Sequence, residues 1–468
     1  MEKKIAFDYT DEVKEKIEKM LKEELIKLDR KIVVLDDDPT GSQTVKNLTV
    51  YCDWEKETIK KAFNDKEKMF FILTNSRSFS EKKTLNVHKD IMNRILDVNE
   101  EQKFLIYSRG DSTLRGHYPL ETEILKEIFE KRTSKKIDGE IICPFFLEGK
   151  RVTIDGVHYI VEKERTIPVA ETEFSKDKSF SYVNSDLAKW CEEKSSKKYR
   201  EENIVKISLE ELRRVDVDGI TKKLLDVKDF NKVIVDSTSY FELKVFVIAF
   251  LRALFKGKEF FVRGAASMLK VLADSKNDKL LEKKDVFNVE VSSGGLILVG
   301  SHVDKTTRQL EELKKTEIVQ LEFNQHLVLH DREFFSEIER VKNEAKRYLE
   351  KGKDVVIYTK RERLDIPNGN EEEQLRMATK ISDGLIEVVK RIGVRPRFVI
   401  AKGGITSSDT ATKGLEIKQA KILGQIAPGV SVWLSGSDSR YYNLPYIIFP
   451  GNVGEDETLK EVYEILKK

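Results

Sequence analysis

Short apolar runs alternate with amphipathic helical patterns along most of the chain. Residues 32–35 form the first such run, and four consecutive apolar side chains are typical of a strand buried on both faces. Comparable strands are predicted at residues 70–74, 103–107, 140–143, 232–236 and 260–262. Helices are predicted between them at residues 55–64, 81–96, 120–130 and 241–255. This strand–helix rhythm indicates a parallel sheet with right-handed crossovers.

The same rhythm restarts near residue 296, after a polar stretch. Further strands are predicted at residues 296–299, 355–359, 398–401 and 446–449, with helices at residues 304–314, 332–349 and 371–392. A chain of 468 residues exceeds what one hydrophobic core usually holds. We therefore predict two α/β domains, each with a mostly parallel sheet flanked by helices.

The predicted domain bounds follow these two series of elements. Residues 31–272 form the first domain, residues 273–294 the inter-domain passage and residues 295–468 the second domain. Residues 1–30 are an N-terminal extension whose amphipathic helix, at residues 10–30, packs either on the body of the protein or on a second subunit. A homodimer is therefore left open.

Four segments interrupt the regular rhythm. Residues 45–53 are predicted as a strand and residues 153–159 as a hairpin. Residues 171–174 are interpreted as a polar loop that covers a pocket. Residues 189–202, which are rich in charge, are interpreted as a mobile connector.

Charge and cysteine content narrow the functional class. Lys and Arg total 84 against 82 Asp and Glu, and no basic block stands out, so a nucleic-acid partner is not expected. The cysteines Cys52, Cys143 and Cys191 are far apart, which indicates reduced thiols rather than metal ligands. The chain shows neither an apolar signal core nor an apolar run of membrane-spanning length, and a cytoplasmic protein without a membrane partner is therefore predicted.

Three consecutive acids, Asp36, Asp37 and Asp38, end the first predicted strand, and Pro39 and Gly41 turn the chain. Carboxylates held this close repel one another, so a metal ion, a cationic partner or a proton must offset their repulsion. Ligands of open α/β sheets bind at this end of the strands. The alternative is an acidic surface turn without function.

Two further strands of the first domain end in polar clusters that contain arginine. Residues 75–78 include Arg77, and residues 108–116 include Arg109 and Arg115. Because the planar guanidinium fork suits carboxylate and phosphate, the three clusters together predict a pocket for a small anionic ligand. Each arginine taken alone is more commonly a surface ion pair.

Glycine-rich turns follow strands of the second domain at residues 300–301, 402–409 and 450–454. Such turns let backbone N–H groups approach a phosphate. Neither a Walker loop nor a dinucleotide fingerprint is present, so the predicted phosphate site has another design. Helix caps and tight turns explain each glycine singly.

Together, these clusters resemble the four-carbon acid sugar kinase family, formerly a domain of unknown function. The motif Asp-Asp-x-Thr-Gly looks like residues 37–41, and Asp-Ser-Thr-Leu-Arg-Gly is matched by residues 111–116. Further matches are Ser76-Arg77, Gly300-Ser301, Gly403-Gly404-Ile405-Thr406 and Pro450-Gly451-Asn452-Val453-Gly454. The resemblance spans about residues 31–460. It implies an acid-sugar-binding domain, an ATP-binding domain and an active site in the cleft between them. It also implies ATP and Mg²⁺ as cofactors, and a substrate such as a threonate, erythronate or 3-oxo-tetronate.

The resemblance also implies roles for residues. Asp37 or Asp38 would be the catalytic base, and the other acid would orient the substrate or a Mg²⁺ shell. The acid sugar would be bound by Thr40, Gly41, Arg77, Arg109, Asp111, Ser112, Arg115 and Gly116. ATP would be bound by Ser301, Gly403, Gly404, Ile405, Thr406, Gly451, Asn452 and Gly454. No metal ligands are assigned, because Ile405 stands where the family often has an acid.

Two other functions compete with the kinase. Asp36-x-Asp38-x-Thr40-Gly41 also fits the nucleophile motif of haloacid-dehalogenase phosphatases, in which Asp36 would attack phosphate and Asp38 would act as acid. Against it, no second acid follows Asp111 as that superfamily's metal motif requires, and the C-terminal half would be unexplained. The other competitor is a non-catalytic acid-sugar sensor, which the apolar Ile405 keeps open.

Overall fold

Strands and helices alternate along the computed structural model, which describes residues 7–99, 101, 103–162, 165–275, 279–362, 364, 371–451 and 453–467. The strands are β1 Lys31–Asp36, β2 Thr49–Tyr51, β3 Met69–Leu73, β4 Phe104–Arg109, β5 Gly139–Cys143, β6 Arg151–Ile154, β7 Val157–Glu162, β8 Arg165–Pro168, β9 Val205–Ile207, β10 Asn231–Val235, β11 Phe260–Gly264, β12 Leu296–Val299, β13 Val319–Phe323, β14 Val355–Thr359, β15 Val399–Lys402, β16 Gln419–Ala427, β17 Val430–Ser435 and β18 Pro445–Phe449. The α-helices are Asp11–Lys27, Lys56–Asn64, Glu81–Val98, Leu120–Thr133, Leu187–Lys194, Leu209–Arg213, Val217–Asp226, Tyr240–Phe255, Ala266–Leu272, Lys283–Val286, Asp304–Lys314, Asp331–Glu350, Glu371–Arg391, Gly404–Asp409 and Thr458–Leu466.

These elements belong to two units. The first comprises Met1–Val45 and Asp53–Asn277, and the second comprises Lys46–Cys52 and Asp278–Lys468. The first unit therefore differs from the predicted first domain, residues 31–272, in two ways. It lacks Lys46–Cys52, and it also includes residues 1–30 and 273–277. The predicted strand at residues 45–53 is correspondingly reduced to β2.

The first unit is built on a parallel sheet with the strand order β3-β1-β4-β11-β5-β10-β9. Strand β1 lies between β3 and β4, so that Asp36 is level with Leu73 on one side and Arg109 on the other. From β1 the chain passes to β3 on one side, and from β3 it crosses to β4 on the other side of β1. This switch in strand order opens a crevice at the carboxyl ends, where the three polar clusters of the sequence emerge.

Smaller elements complete the first unit. Strands β6, β7 and β8 form an antiparallel sheet, as the predicted hairpin indicates, and two 3₁₀ turns follow it at Val169–Glu171 and Glu173–Lys176. The N-terminal helix begins at its cap Thr10 and packs on the largely buried helix Tyr240–Phe255. The body of the protein itself thus covers the apolar face of the N-terminal helix.

The second unit also has a mostly parallel sheet. Strands β13, β14, β12, β15 and β18 run parallel in that order, and β17, β16 and β2 continue the sheet antiparallel. The hairpin of β16 and β17 was not among the sequence predictions, because it interrupts the strand–helix rhythm. The two-domain α/β architecture, with mostly parallel sheets flanked by helices, is confirmed.

One predicted segment is wrong. Residues 189–202 were expected to be a mobile connector, but their first part belongs to the helix Leu187–Lys194, whose cap is Asp186. Trp190 and Cys191 are buried there, because the charged residues occupy only the outer face of this short helix.

Among the residues that the structure describes, no helix has both the length and the apolar character that crossing a membrane requires.

Candidate functional site

The acidic turn after β1 places its three carboxylates in different surroundings. Asp36 and Asp37 are buried, whereas the side chain of Asp38 is 13% exposed. Asp38 caps the 3₁₀ helix Pro39–Thr44 by accepting a hydrogen bond from the Thr40 N–H at 2.9 Å. The turn therefore presents Asp38 outward and keeps the other two acids beneath it.

Asp36 is paired with Arg109 from the neighbouring strand. The Arg109 Nε donates to Asp36 Oδ1, and the same guanidinium donates to the main-chain oxygen of Asp38. Burial raises the pKa of Asp36 to about 7 although Arg109 opposes this, and its Oδ2 has no partner among the described residues. A Cβ at Gly41 would lie 2.1 Å from Arg109 Nε, so only glycine fits over this pair.

Arg77 gathers the remaining acids. Its guanidinium donates to both oxygens of Asp37, at 3.2 Å and 2.6 Å, and lies 3.5 Å from Asp38 Oδ2 and 3.9 Å from Asp111 Oδ1. Burial alone would raise the pKa of Asp38, but Arg77, Arg109 and the Thr40 N–H together hold it below its usual range. Protein cations thus offset the repulsion that the sequence predicts.

Asp111 and Arg115 form the next part of the cluster. Arg115 Nε donates to Asp111 Oδ2 at 2.6 Å, and the Thr113 hydroxyl donates to the same oxygen. Burial would raise the pKa of Asp111, but Arg115 and Arg77 hold it well below its usual range. Arg115 also lies over the Phe174 ring, with its Cζ 5.0 Å from the ring centroid.

The three predicted sugar-binding arginines differ in exposure. The side chain of Arg109 is 5% exposed and its hydrogen bonds go to Asp36 and to backbone carbonyls, so it braces the turn from below. The side chain of Arg115 is 24% exposed, and Asp177, 3.8 Å away, is its nearest acid besides Asp111. Arg115 is therefore the most accessible of the three.

Sequence reasoning assigned no role to Arg263, at the end of β11. Its Nη1 donates to the Ser108 hydroxyl at 2.8 Å and to Glu121 Oε2 at 2.5 Å. Glu121 in turn accepts from the Ser76 hydroxyl at 2.6 Å. The ends of β4 and β11 and the turn after β3 are thereby joined. The signal available in the sequence was an arginine at the end of an apolar strand, a position that Arg263 shares with Arg109.

Arg151 and His158 were also missed. Arg151, at the start of β6, forms no ion pair with any described carboxylate, and its Nε is buried without a partner. Burial lowers its pKa, and the charges of Asp111 and Arg115 act on it. His158 Nε2 donates to the Ser112 carbonyl at 2.8 Å and fixes that residue of the predicted motif. No sequence motif marked either residue.

In the second unit, two predicted turns lie side by side at the carboxyl end of the sheet. Gly403 has φ +111, which favours glycine, and its N–H donates to the Phe449 carbonyl at 2.8 Å. A Cβ at Gly403 would be 3.7 Å from Ser301 Cβ. Ile405, between Gly404 and Thr406, is 61% exposed.

The turn that begins at Pro450 has its carbonyl oxygens drawn into the protein. Lys402 donates to Pro450 O at 2.7 Å and to Gly451 O at 3.2 Å. Three residues of the helix Asp304–Lys314 donate to carbonyl oxygens of the same turn. Lys305 donates to Gly454 O and Thr306 donates to Gly451 O. Gln309 donates to both Val453 O and Glu455 O. Among the described residues, none accepts a hydrogen bond from the N–H groups of Gly451, Val453 or Gly454. Asn452 lies outside the described residues.

Three cations surround these turns without a carboxylate partner in the described part of the chain: Lys305, Lys402 and Arg361. Arg361 donates to the Ser301 carbonyl and to the Thr307 hydroxyl, but its buried Nε and Nη1 have no partner among the described residues. Free N–H groups beside unpaired cations are the features that bind phosphate. Lys305, Lys402 and Arg361 were missed because no motif contains them as ligands.

In the part of the chain that the structure describes, the donor set does not form a Mg²⁺ site of the protein's own. No group of three or more His, Cys, Asp or Glu side chains is arranged to hold a metal ion in the described ranges. The acids of the first unit are engaged by arginines, and Asp409 of the second is paired with Lys413 at 3.2 Å. No protein ligand for Mg²⁺ is therefore assigned.

Two models of known protein families match successive parts of the chain. A model described as a sugar-binding N-terminal domain matches residues 32–272, and one described as a nucleotide-binding C-terminal domain matches residues 296–459. No match was found among curated proteins.

Two solved structures share the fold. A Haemophilus influenzae protein of the DUF1537 family superposes with a TM-score of 0.61 at 16% identity, over 93% of this chain and 100% of that one. A Salmonella typhimurium LT2 protein described as a tRNA synthase superposes with a TM-score of 0.65 at 15% identity, over 92% and 98%. The two domain matches, together with the ordered motifs, show that the chain belongs to the four-carbon acid sugar kinase family, formerly DUF1537.

Proposed function

We propose that this protein is an ATP-dependent kinase that phosphorylates a hydroxyl group of a four-carbon sugar acid such as a threonate, an erythronate or a 3-oxo-tetronate. The observation that carries the proposal is the division of the acidic cluster. Asp36 and Asp37 are buried against arginines, whereas Asp38 is partly exposed and held ionised. An ionised, accessible carboxylate in a sugar-binding domain is what a kinase base requires.

Asp38 is the proposed base. The two oxygens of Asp37 are both occupied by Arg77, which leaves them poorly placed to accept a substrate proton. Asp38 instead spends Oδ1 on the Thr40 N–H and keeps Oδ2 at 3.5 Å from Arg77, longer than a hydrogen bond. Asp38 Oδ2 would accept the proton of the substrate hydroxyl group as the hydroxyl oxygen attacks the γ-phosphorus of ATP.

Arg115 and Arg151 are proposed to bind the carboxylate of the sugar acid. Arg115 is the most exposed arginine of the cluster, and Arg151 has no acidic partner among the described residues. A substrate carboxylate would pair with Arg151, whose Nε is buried and has no partner among the described residues, and would add a charge-assisted bond to Arg115. Arg77 and Arg109 would hold the acids in place and leave the substrate to these two cations.

The phosphates of ATP are proposed to lie against the second unit. The N–H groups of Gly451 and Gly454, together with Lys305 and Arg361, supply donors and positive charge, and among the described residues they meet neither an acceptor nor an opposing carboxylate. Charge developing on the transferred phosphoryl group would be stabilised by such donors.

The phosphatase alternative is poorly supported by the surroundings of Asp36. A nucleophilic aspartate must be ionised and open to a phosphate, but Asp36 is buried under Gly41 and its pKa is raised. The sensor alternative lacks a specific observation in its favour, since the apolar Ile405, on which it depends, is exposed.

An ADP-release assay of the full chain with MgATP and a panel of four-carbon sugar acids tests the proposal. We expect ADP release that depends on at least one sugar acid and is lost in Asp38→Asn. Binding of sugar acids without ADP release would favour a sensor. Release of phosphate from sugar phosphates without ATP would favour a phosphatase.

A further inference from the structure

Lys402, the last residue of β15, is a fully buried lysine in the second unit. Two of its three N–H donors are directed at the carbonyls of Pro450 and Gly451, and its Nζ lies 4.3 Å from the centroid of the Phe449 ring. Because an ammonium group loses much of its hydration on burial, a lysine in this position needs a nearby negative charge or loses its proton.

In the described part of the chain, the one charge that acts on Lys402 is positive. From the helix Asp304–Lys314, Lys305 is the charged side chain that acts on it, and this interaction is repulsive. Strand β18 supplies the aromatic Phe449, and the following turn supplies carbonyl oxygens. Within the described ranges no carboxylate lies within ion-pair distance of Lys402.

The position of Lys402 links it to the proposed phosphate site. Lys402 binds the carbonyls of Pro450 and Gly451, and the N–H groups of Gly451 and Gly454 in the same turn meet no acceptor among the described residues. We propose that Lys402 is a positioning residue for the nucleotide site, which shapes the turn and takes up one proton when the phosphates of the nucleotide bind. This inference rests on the proposed ATP site and goes beyond it by adding a protonation switch.

The direction of the switch follows from electrostatics. Burial, with help from Lys305, lowers the pKa of Lys402 to about 7, so at pH 8 most molecules carry the neutral amine. A polyphosphate held by the same turn favours the ammonium form and raises that pKa. Nucleotide binding and protonation are then linked, and nucleotide affinity falls as pH rises above 7.

Calorimetry of the full-length protein measures this linkage directly. MgADP is titrated into the protein at pH 8.0 in HEPES and in Tris, two buffers that differ in their enthalpy of ionisation. The dependence of the binding enthalpy on that enthalpy gives the protons taken up per ADP. We expect roughly 0.5–1 proton, and an affinity that falls roughly five- to tenfold between pH 7.5 and 8.5.

Two variants assign the proton to Lys402. In Lys402→Met the unbranched side chain keeps the volume but cannot be protonated, and in Lys402→Arg the charge is permanent. Both should bind ADP with almost no proton uptake. Lys421→Met, at an exposed lysine of β16, should behave as the unmodified protein does.

Each outcome is decisive. Binding of ADP by the unmodified protein without proton uptake would refute the role of Lys402 and leave the proposed ATP site standing, even if neither variant folds. Proton uptake that persists in a folded Lys402→Met protein would assign the proton elsewhere and refute the inference. Failure of the unmodified protein to bind any ADP would overturn both the inference and the proposed function.

Discussion

At the level of single residues, the site is organised by arginines that compete for neighbouring acids. The sequence predicts that Asp36, Asp37 and Asp38 need a metal, a cation or a proton, and the structure supplies cations from two other strand ends, Arg77 and Arg109. Which arginine meets which acid could not be read from the sequence, because it depends on the order of β3, β1 and β4.

Residues outside motifs were missed for the same reason. Arg263 and His158 are far in sequence from the residues they position, Ser108 and Ser112. Lys402 is adjacent to a recognised motif, but its burial follows from packing against the turn at Pro450, as does its lack of an acidic partner among the described residues.

The acids of the turn should respond differently to substitution. Asp38→Asn keeps the cap on Thr40 through its amide oxygen but removes the base, so kcat should fall at least ~10²-fold. Asp36→Asn keeps an acceptor for Arg109 and should lower kcat less. Steady-state kinetics with mass spectrometry of the protein checks this. Complete loss of activity in Asp36→Asn, with a phosphoryl adduct on Asp36 of the unmodified enzyme, would identify the phosphatase instead.

Arg115 offers a test of substrate binding. Arg115→Ala removes a charge-assisted contact worth ~1.5–3 kcal/mol, so KM for the sugar acid should rise roughly ten- to a hundredfold with a smaller change in kcat. Arg214→Ala is the matched control, because Arg214 pairs with Glu210 at 3.1 Å with the same i,i+4 spacing but is far more exposed. A folded Arg115→Ala enzyme with unchanged KM would remove Arg115 from the pocket.

At the level of elements, apolar runs and helical periodicity located most strands and helices because each element buries a defined face. They failed where that rhythm is absent. The antiparallel hairpin of β16 and β17 was not foreseen, and charge density in residues 189–202 hid a short amphipathic helix. The brevity of β2 was also unforeseen, because its extent depends on pairing with β16, which is far away in the sequence.

Gly41, in the turn after β1, and Gly451, in the turn after β18, should differ in their tolerance of a methyl group. Gly41→Ala would place Cβ 2.1 Å from Arg109 Nε, and overpacking of this kind costs ~1–3 kcal/mol. A Cβ at Gly451 meets nothing within 4 Å. We expect thermal unfolding of Gly41→Ala several degrees below that of the unmodified protein. Gly451→Ala should unfold normally but bind ADP more weakly, because the methyl group enters the proposed phosphate site. Equal unfolding temperatures for Gly41→Ala and the unmodified protein would contradict the packing argument.

At the level of the whole molecule, the segment Lys46–Cys52 carries the chain from the acidic turn of the first unit into the sheet of the second. A fragment that begins near residue 290 would lack β2 and leave β16 without that partner. Nucleotide binding is therefore best measured on the full chain.

Family membership follows from motifs in sequence order, whereas the sugar acid is set by pocket contacts that differ by only ~1–3 kcal/mol between similar substrates.

The central claim is that the γ-phosphoryl group of ATP passes to a hydroxyl of a sugar acid. Following ¹⁸O-labelled γ-phosphate of ATP by mass spectrometry, with the full chain and the best sugar acid of the panel, tests this most directly. The account predicts that the label appears in a phosphate ester of the sugar acid, in amounts equal to the ADP formed. Label found only in inorganic phosphate, or left in ATP with every sugar acid, would contradict it.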